Sequence, residues 1–142
     1  MIENIRHTGI VVTDFEASLY FYRDLLGFQI AKQMEESGSY IDKISLLRNV
    51  KVTTVKMSSP SGQMIELLKY HSHPAEKRER EICEIGISHI AFTVGDLEIE
   101  YKRLKNKGIQ FNSSPQLSPD GYAKVTFCRA PEGTLIELVE VL

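Results

Sequence analysis

The stretch Gln63-Met64-Ile65-Glu66-Leu67-Leu68 places a single carboxylate in the middle of an apolar run. It returns near the C-terminus as Thr134-Leu135-Ile136-Glu137-Leu138-Val139, and a Pro-x-Gly turn precedes each copy, at 60–62 and 131–133. Turn and Glu recur at the same spacing of 71 residues (131 − 60 and 137 − 66). A repeat that keeps one register through a turn and a strand indicates a duplicated structural module.

A second repeated stretch lies upstream in each copy. His7 stands in Ile-Arg-His-Thr-Gly-Ile-Val-Val and His89 in Ile-Ser-His-Ile-Ala-Phe-Thr-Val, 82 positions apart (89 − 7). Asp14 and Asp96 follow at the same offset, and each opens a segment whose apolar residues recur at helical spacing. Because 82 exceeds 71 by 11, the first module holds additional residues, which we place near 33–47.

Composition narrows the class of protein. The 142 residues suit one ordinary domain, here divided into module one at 4–70, a linker at 71–85 and module two at 86–142. A net charge of -2 gives no electrostatic reason to expect a nucleic acid or an anionic membrane as partner. Two cysteines form no disulfide framework, and neither a signal peptide nor a membrane-spanning run is present. We expect a cytoplasmic protein.

Periodicity predicts the elements of each module. In module one it indicates a strand at 4–12, a helix opened by a Thr13 and Glu16 capping box, and strands at 28–34, 40–47, 50–57 and around Glu66. In module two it indicates a strand at 86–94, a helix from Asp96 to Gly108, strands at 109–112, 122–129 and 134–141, and a long loop at 113–121.

Strand alternation assigns His and Glu to one face of each module. The opposite face carries apolar side chains, which suits packing beneath a helix. These are Ile10, Val12, Ile65, Leu67, Ile90, Phe92, Ile136 and Leu138. Gly9 and Ala91 share the His and Glu face, where small side chains leave room for a ligand.

The two His and two Glu residues have a chemical interpretation. If the modules pair about a pseudo-twofold axis, His7, Glu66, His89 and Glu137 converge into a set of two nitrogen and two oxygen donors. Such a set suits one divalent ion: Zn, Ni, Co, Mn or Fe. The alternative is that the four residues are structural.

Four other residues are further candidates for the site. His71 and His73 are candidate additional ligands, and Lys124 and Arg129 are candidate contacts for an anionic substrate group. Exposure to solvent is the simpler interpretation of all four.

The pattern of each module resembles the vicinal oxygen chelate superfamily: a histidine near its start, a helix that begins at an aspartate, and a closing Pro-x-Gly turn followed by Ile-Glu-Leu. This superfamily includes glyoxalase I, methylmalonyl-CoA epimerase, extradiol dioxygenases and bleomycin-binding proteins. The resemblance implies an α+β fold in which tandem βαβββ modules form a cupped eight-stranded mixed sheet with helices on its outer face. It also implies His7, Glu66, His89 and Glu137 as ligands of one divalent metal ion, and a homodimer. Whether the site forms within one chain or across the dimer stays open.

Glutamate ligands in both modules are most similar to glyoxalase I. This implies a metal-dependent lyase or isomerase acting on an α-hydroxycarbonyl or thioester-linked substrate, with Glu137 and Glu66 moving the proton. The alternatives are a methylmalonyl-CoA epimerase-like enzyme and a non-catalytic binding or resistance protein. Bacterial glyoxalase I has a glutathione-contacting Arg and Asn where this chain has Val11 and Tyr70, so glutathione is not implied.

Overall fold

The computed structural model describes residues 1–142. The chain forms two compact units, Met1–Lys77 and Arg78–Leu142. Their boundary falls inside the stretch predicted as a linker, 71–85. No helix is both long enough and apolar enough to cross a membrane.

Unit 1 contains four strands. Its elements are β1 (Thr8–Val11), α1 (Phe15–Leu19), a π-helical continuation of α1 (Tyr20–Leu25), β2 (Gln29–Ser37), α2 (Ser39–Ser45), β3 (Lys51–Ser58) and β4 (Met64–Tyr70). The strand order is β1-β4-β3-β2, with β1 parallel to β4 and the other neighbours antiparallel. The parallel pairing matters for the site, because it brings the start of the module beside its end.

Unit 2 repeats this order. Its elements are β5 (Ile90–Thr93), α3 (Leu97–Asn106), β6 (Gln116–Leu117), β7 (Ala123–Arg129) and β8 (Leu135–Val141). The strand order is β5-β8-β7-β6, again with the first strand parallel to the last. The predicted α+β class with tandem βαβββ modules is therefore confirmed, and the eight strands are hydrogen-bonded as two four-stranded mixed sheets.

The predicted apolar faces lie in the cores. In unit 1, Ile10, Ile65 and Leu67 are at most 5% exposed, and the helical segment adds the buried Phe21 and Tyr22. In unit 2, Ile136 and Leu138 are buried, whereas Ile90 and Phe92 of the same predicted face are only partly buried. Burial of alternate residues fixes the register of each strand, because a slip by one residue would turn every apolar side chain outward.

An aspartate opens both main helices, as predicted. The Asp14 carboxylate accepts the Ala17 N–H at 3.1 Å, and the Asp96 carboxylate accepts the Ile99 N–H at 2.9 Å. The predicted capping box with Thr13 is wrong. Asp14 is the N-cap because its backbone is extended and its carboxylate reaches the free N–H groups of the first turn.

The predicted strand at 40–47 is also wrong, because residues 39–45 form α2. Gly38, at φ 96°, ends β2 in a conformation that glycine adopts readily. The Asp42 carboxylate then accepts the N–H groups of Asn49 and Val50, both at 2.9 Å. Ile41 packs with Val50, Val52, Leu68 and Tyr70, so α2 covers part of the face that carries Glu66.

The strand predicted at 109–112 is reduced to one isolated bridge between Phe111 and Cys128. The Asn112 N–H donates to the Phe127 carbonyl, and the Thr126 hydroxyl donates to the Ser113 carbonyl. These contacts hold the chain against β7 without a second ladder. The short edge strand β6 lies instead within the predicted loop, 113–121.

Candidate metal centre

Parallel strand pairing places each histidine beside a glutamate. In unit 1, Gly9 of β1 lies beside Glu66 of β4, and His7 directly precedes β1. In unit 2, Ala91 of β5 lies beside Glu137 of β8, and His89 directly precedes β5. A small residue thus lies beside each glutamate.

The two imidazole–carboxylate pairs have nearly the same geometry. The His7 Nε2 atom is 2.8 Å from Glu66 Oε2, and the His89 Nε2 atom is 3.1 Å from Glu137 Oε2. The glutamate side chains are 12% and 20% exposed, less than the histidine side chains at 30% and 35%. Each unit thus holds a mostly covered carboxylate against a more accessible imidazole.

The other ring nitrogen of His89 fixes its tautomer. The Ser88 hydroxyl lies 2.9 Å from the Ile82 carbonyl oxygen and 3.0 Å from His89 Nδ1. A carbonyl only accepts, so the single hydroxyl proton goes to Ile82, and Ser88 Oγ accepts a proton from Nδ1–H. A neutral His89 therefore faces Glu137 with the Nε2 lone pair. A proton or a cation between the two groups stabilises such a contact.

The spacing of the pairs fits two ligands of one ion. The separations of 2.8 and 3.1 Å are those of a hydrogen bond, and they also bring a nitrogen and an oxygen donor close enough to be ligands of one ion. The donors are an imidazole nitrogen and a carboxylate oxygen, which suit divalent first-row metals, and the donation from Nδ1–H to Ser88 is the kind of support that metal-binding histidines receive.

The four predicted residues are brought together as two pairs. The structure contains no group of three or more His, Cys, Asp or Glu residues placed to hold a metal ion. Each pair alone supplies two protein donors, fewer than the three or four that a tightly held divalent ion usually has.

The other candidate histidines have structural partners. The buried Thr53 hydroxyl donates to the Glu35 carboxylate at 2.7 Å, so His71 Nε2, also 2.7 Å away, donates to Thr53. His73 Nδ1 lies 2.8 Å from the Ser72 hydroxyl. His71 therefore connects the residue after β4 to Thr53 of β3, and His73 contacts the adjacent Ser72.

The two candidate cations of β7 are also engaged. The Arg129 guanidinium donates to the carbonyls of Gly133 and Arg80, at 3.3 and 3.0 Å. Lys124 Nζ lies 3.7 Å from the Glu140 carboxylate. Arg129 therefore connects β7 to two other stretches of unit 2, and Lys124 forms a partly exposed ion pair.

One serine and two lysines near the His–Glu pairs were not predicted from the sequence. Ser88 has a readable signal, since it directly precedes His89. Lys56 and Lys32 have none, because their place beside Glu66 depends on the pairing of three strands.

Similarity to known proteins identifies the family of this chain. The model of the Glyoxalase/Bleomycin resistance protein/Dioxygenase superfamily matches residues 4–138. The chain belongs to this superfamily. The matched residues include both His–Glu pairs.

Individual relatives span the whole chain. The uncharacterized protein YwkD of Bacillus subtilis is 31% identical over 142 residues, covering 99% of this chain and 98% of YwkD. The ethylmalonyl-CoA/methylmalonyl-CoA epimerase of Cereibacter sphaeroides is 26% identical over 145 residues, covering 99% and 100%. The crystal structure of a glyoxalase family protein from Bacillus cereus matches this structure with a TM-score of 0.89 at 22% identity. The match covers 100% of this chain and 96% of that protein, and this similarity supports the fold.

Proposed function

We propose that this protein is a divalent-metal-dependent lyase or isomerase of glyoxalase type, with His7, Glu66, His89 and Glu137 as the metal ligands. The observation that carries the proposal is the repeated Nε2–Oε2 contact, at 2.8 and 3.1 Å, in two units of one superfamily fold. Burying carboxylates among apolar strands costs free energy that a bound cation offsets.

The chemistry follows from the donors. When bound, an ion such as Zn, Ni, Co, Mn or Fe polarises a substrate carbonyl and makes the neighbouring C–H bond more acidic. Glu137, whose side chain is 20% exposed, would accept that proton through a carboxylate oxygen that does not bind the ion, and Glu66 is its counterpart in the repeat. Phe127 contacts the His89 ring edge-on, with centroids 5.2 Å apart, and holds the imidazole in orientation.

The proposed substrate is an α-hydroxycarbonyl or a thioester-linked acid. An epimerase-like activity is the second candidate, favoured by the Cereibacter sphaeroides epimerase that matches over its whole length. In an epimerisation by two residues, one carboxylate removes the α-proton and a protonated carboxyl on the other side donates its own proton to the opposite face, so the two glutamates would begin in different protonation states. A non-catalytic binding protein, the candidate from another class, has no need of both carboxylates.

We propose a homodimer as the assembled form. One chain holds no group of three or more donors, and each His–Glu pair supplies two. A second copy adds complementary pairs, so that His7 and Glu66 of one protomer can share an ion with the other pair of its partner. Mixing inactive His7→Ala and Glu137→Ala variants tests this, because exchange of protomers then restores one intact set.

Proton transfer is the measurable step. Zinc- or nickel-loaded protein in D2O is incubated with the methylglyoxal–thiol hemithioacetal and with methylmalonyl thioester, and deuterium at the α-carbon is followed by NMR. We expect incorporation with one substrate class, loss of it in Glu137→Gln with an unchanged circular dichroism spectrum, and full activity in Glu98→Gln, whose side chain is exposed on α3. Undiminished exchange in Glu137→Gln would contradict the assigned role.

A further inference from the structure

A row of side chains crosses the sheet of unit 1 at the level of Glu66. Strand register places Gly9 of β1 beside Glu66 of β4, Glu66 opposite Lys56 of β3, and Lys56 opposite Lys32 of β2. Directly opposed residues of a sheet project from the same face. Two lysines therefore extend the face that carries the His7–Glu66 pair.

The two lysine side chains form no ion pair within the unit. Glu66 lies directly opposite Lys56, but its carboxylate contacts His7, and the side chains of Lys56 and Lys32 take part in no hydrogen bond or ion pair. The other acid of β2 on this face, Glu36, is four residues from Lys32, which is about 13 Å along a strand. Like charges directly opposite one another destabilise a sheet, and Lys56 is half-buried.

The repeat shows that a lysine is not required here for folding. In unit 2 the position opposite Glu137 is Phe127, whose ring packs against His89. Packing explains this aromatic residue, whereas no contact in unit 1 explains Lys56. The two modules have therefore diverged at the residue nearest the glutamate.

Helix α2 covers another part of the sheet face that carries Glu66. Ile41 of α2 packs with Val52, Leu68 and Tyr70, and Leu68 and Tyr70 follow Glu66 along its own face of β4. An apolar wall thus lies farther along β4 from Glu66, and the two lysines lie across the sheet from it.

We propose that Lys56 and Lys32 bind an anionic group, a carboxylate or a phosphate, of the small molecule held at the His7–Glu66 pair. The inference deepens the proposed function and rests on it for the identity of the neighbouring site. Two ammonium groups supply several N–H donors to one anion, and the anion relieves the repulsion between them. The substrate class is accordingly an enolisable acid with a free negative group, not a neutral carbonyl compound.

Calorimetric titration tests this with defined probes. Malonate, inorganic phosphate and neutral malonamide are titrated into the protein, both metal-free and zinc-loaded, at fixed ionic strength. We expect a dianion to bind and malonamide to bind more weakly. Lys56→Gln and Lys32→Gln each weaken dianion binding by about tenfold, as for loss of one charge-assisted contact, while Lys56→Arg keeps most of it. Preference for malonate or for phosphate identifies the group.

Lys69→Gln is the matched control, because Lys69 lies on β4 but on the opposite face. Equal dianion affinity in Lys56→Gln and the unmodified protein, or no saturable binding of either dianion, overturns the inference. A protein that takes up no zinc but binds a dianion through Lys56 refutes the proposed metal chemistry and upholds the anion site.

Discussion

The Nδ1 atom of His89 lies 3.0 Å from the hydroxyl oxygen of Ser88, the residue immediately before it. Because the Ser88 proton is used by the Ile82 carbonyl, this contact directs the Nε2 lone pair of His89 toward Glu137. A serine outside the donor set thereby orients a proposed ligand.

Removing the Ser88 hydroxyl should weaken metal binding without unfolding the protein. We expect Ser88→Ala to lower zinc affinity by about 10- to 100-fold, as for other residues that support a metal-bound histidine. Competition with a chelating dye measures the affinity. Ser72→Ala, which removes the hydroxyl beside His73, is the control and should leave zinc affinity unchanged. Equal affinity in both variants would show that Ser88 does not support the site.

The C-terminus of α2 offers a stabilising substitution. Leu46 is 91% exposed and adopts a left-handed backbone at φ 58°. This conformation costs a leucine roughly 1 kcal/mol, and glycine avoids the cost. We expect Leu46→Gly to raise the melting temperature by a few degrees, about what 0.5–1 kcal/mol produces in a small unit. A lowered melting temperature would mean that Leu46 makes a stabilising contact.

The two cysteines should differ in reactivity. Burial raises the pKa of the Cys128 thiol to about 12, while Cys83 is exposed. The thiolate is the reactive form, so Cys128 stays protonated and protected near neutral pH. We expect one thiol per chain to react with a chromogenic disulfide in native protein, the second to react only after unfolding, and Cys83→Ser to abolish the fast reaction. Rapid reaction of both thiols in native protein would contradict this assignment.

Relief of the lysine repulsion should be visible in protein without ligand. We expect Lys32→Gln to increase the free energy of unfolding by about 0.2–1 kcal/mol, the size of a cross-strand pair effect. Chemical denaturation measures it, with Lys69→Gln as the control of unchanged stability. Destabilisation by Lys32→Gln would show that the lysine is held by a favourable contact.

The sequence predicted the His–Glu pairs because hydrophobic alternation and the repeat reinforce each other. Residues such as Leu67 and Leu138 must face the core, so Glu66 and Glu137 must face the other way. The repeat then equates the two modules. These patterns are local in sequence and therefore readable from it, whereas the parallel pairing of the first and last strands, which brings each His beside its Glu, was not predicted.

Helix α2 and the lysine row were not readable in the same way. The run from Tyr40 to Leu47 is short and apolar, and such a run does not separate helix from strand by its period. Tyr40 and Ile44 prove to be exposed apolar residues on α2. The lysine row depends on long-range register, including a β-bulge between Ile30 and Lys32, which no local pattern specifies.

The most direct test of the central claim is the metal content of the untagged protein, measured by elemental analysis as purified and after loading with Zn, Ni, Co, Mn or Fe(II) and dialysis. We predict about one tightly held ion per chain. The ion should be lost in His7→Ala and in Glu137→Ala and retained in Glu98→Gln. No ion under any loading condition, or an undiminished ion content in both ligand variants, would contradict it.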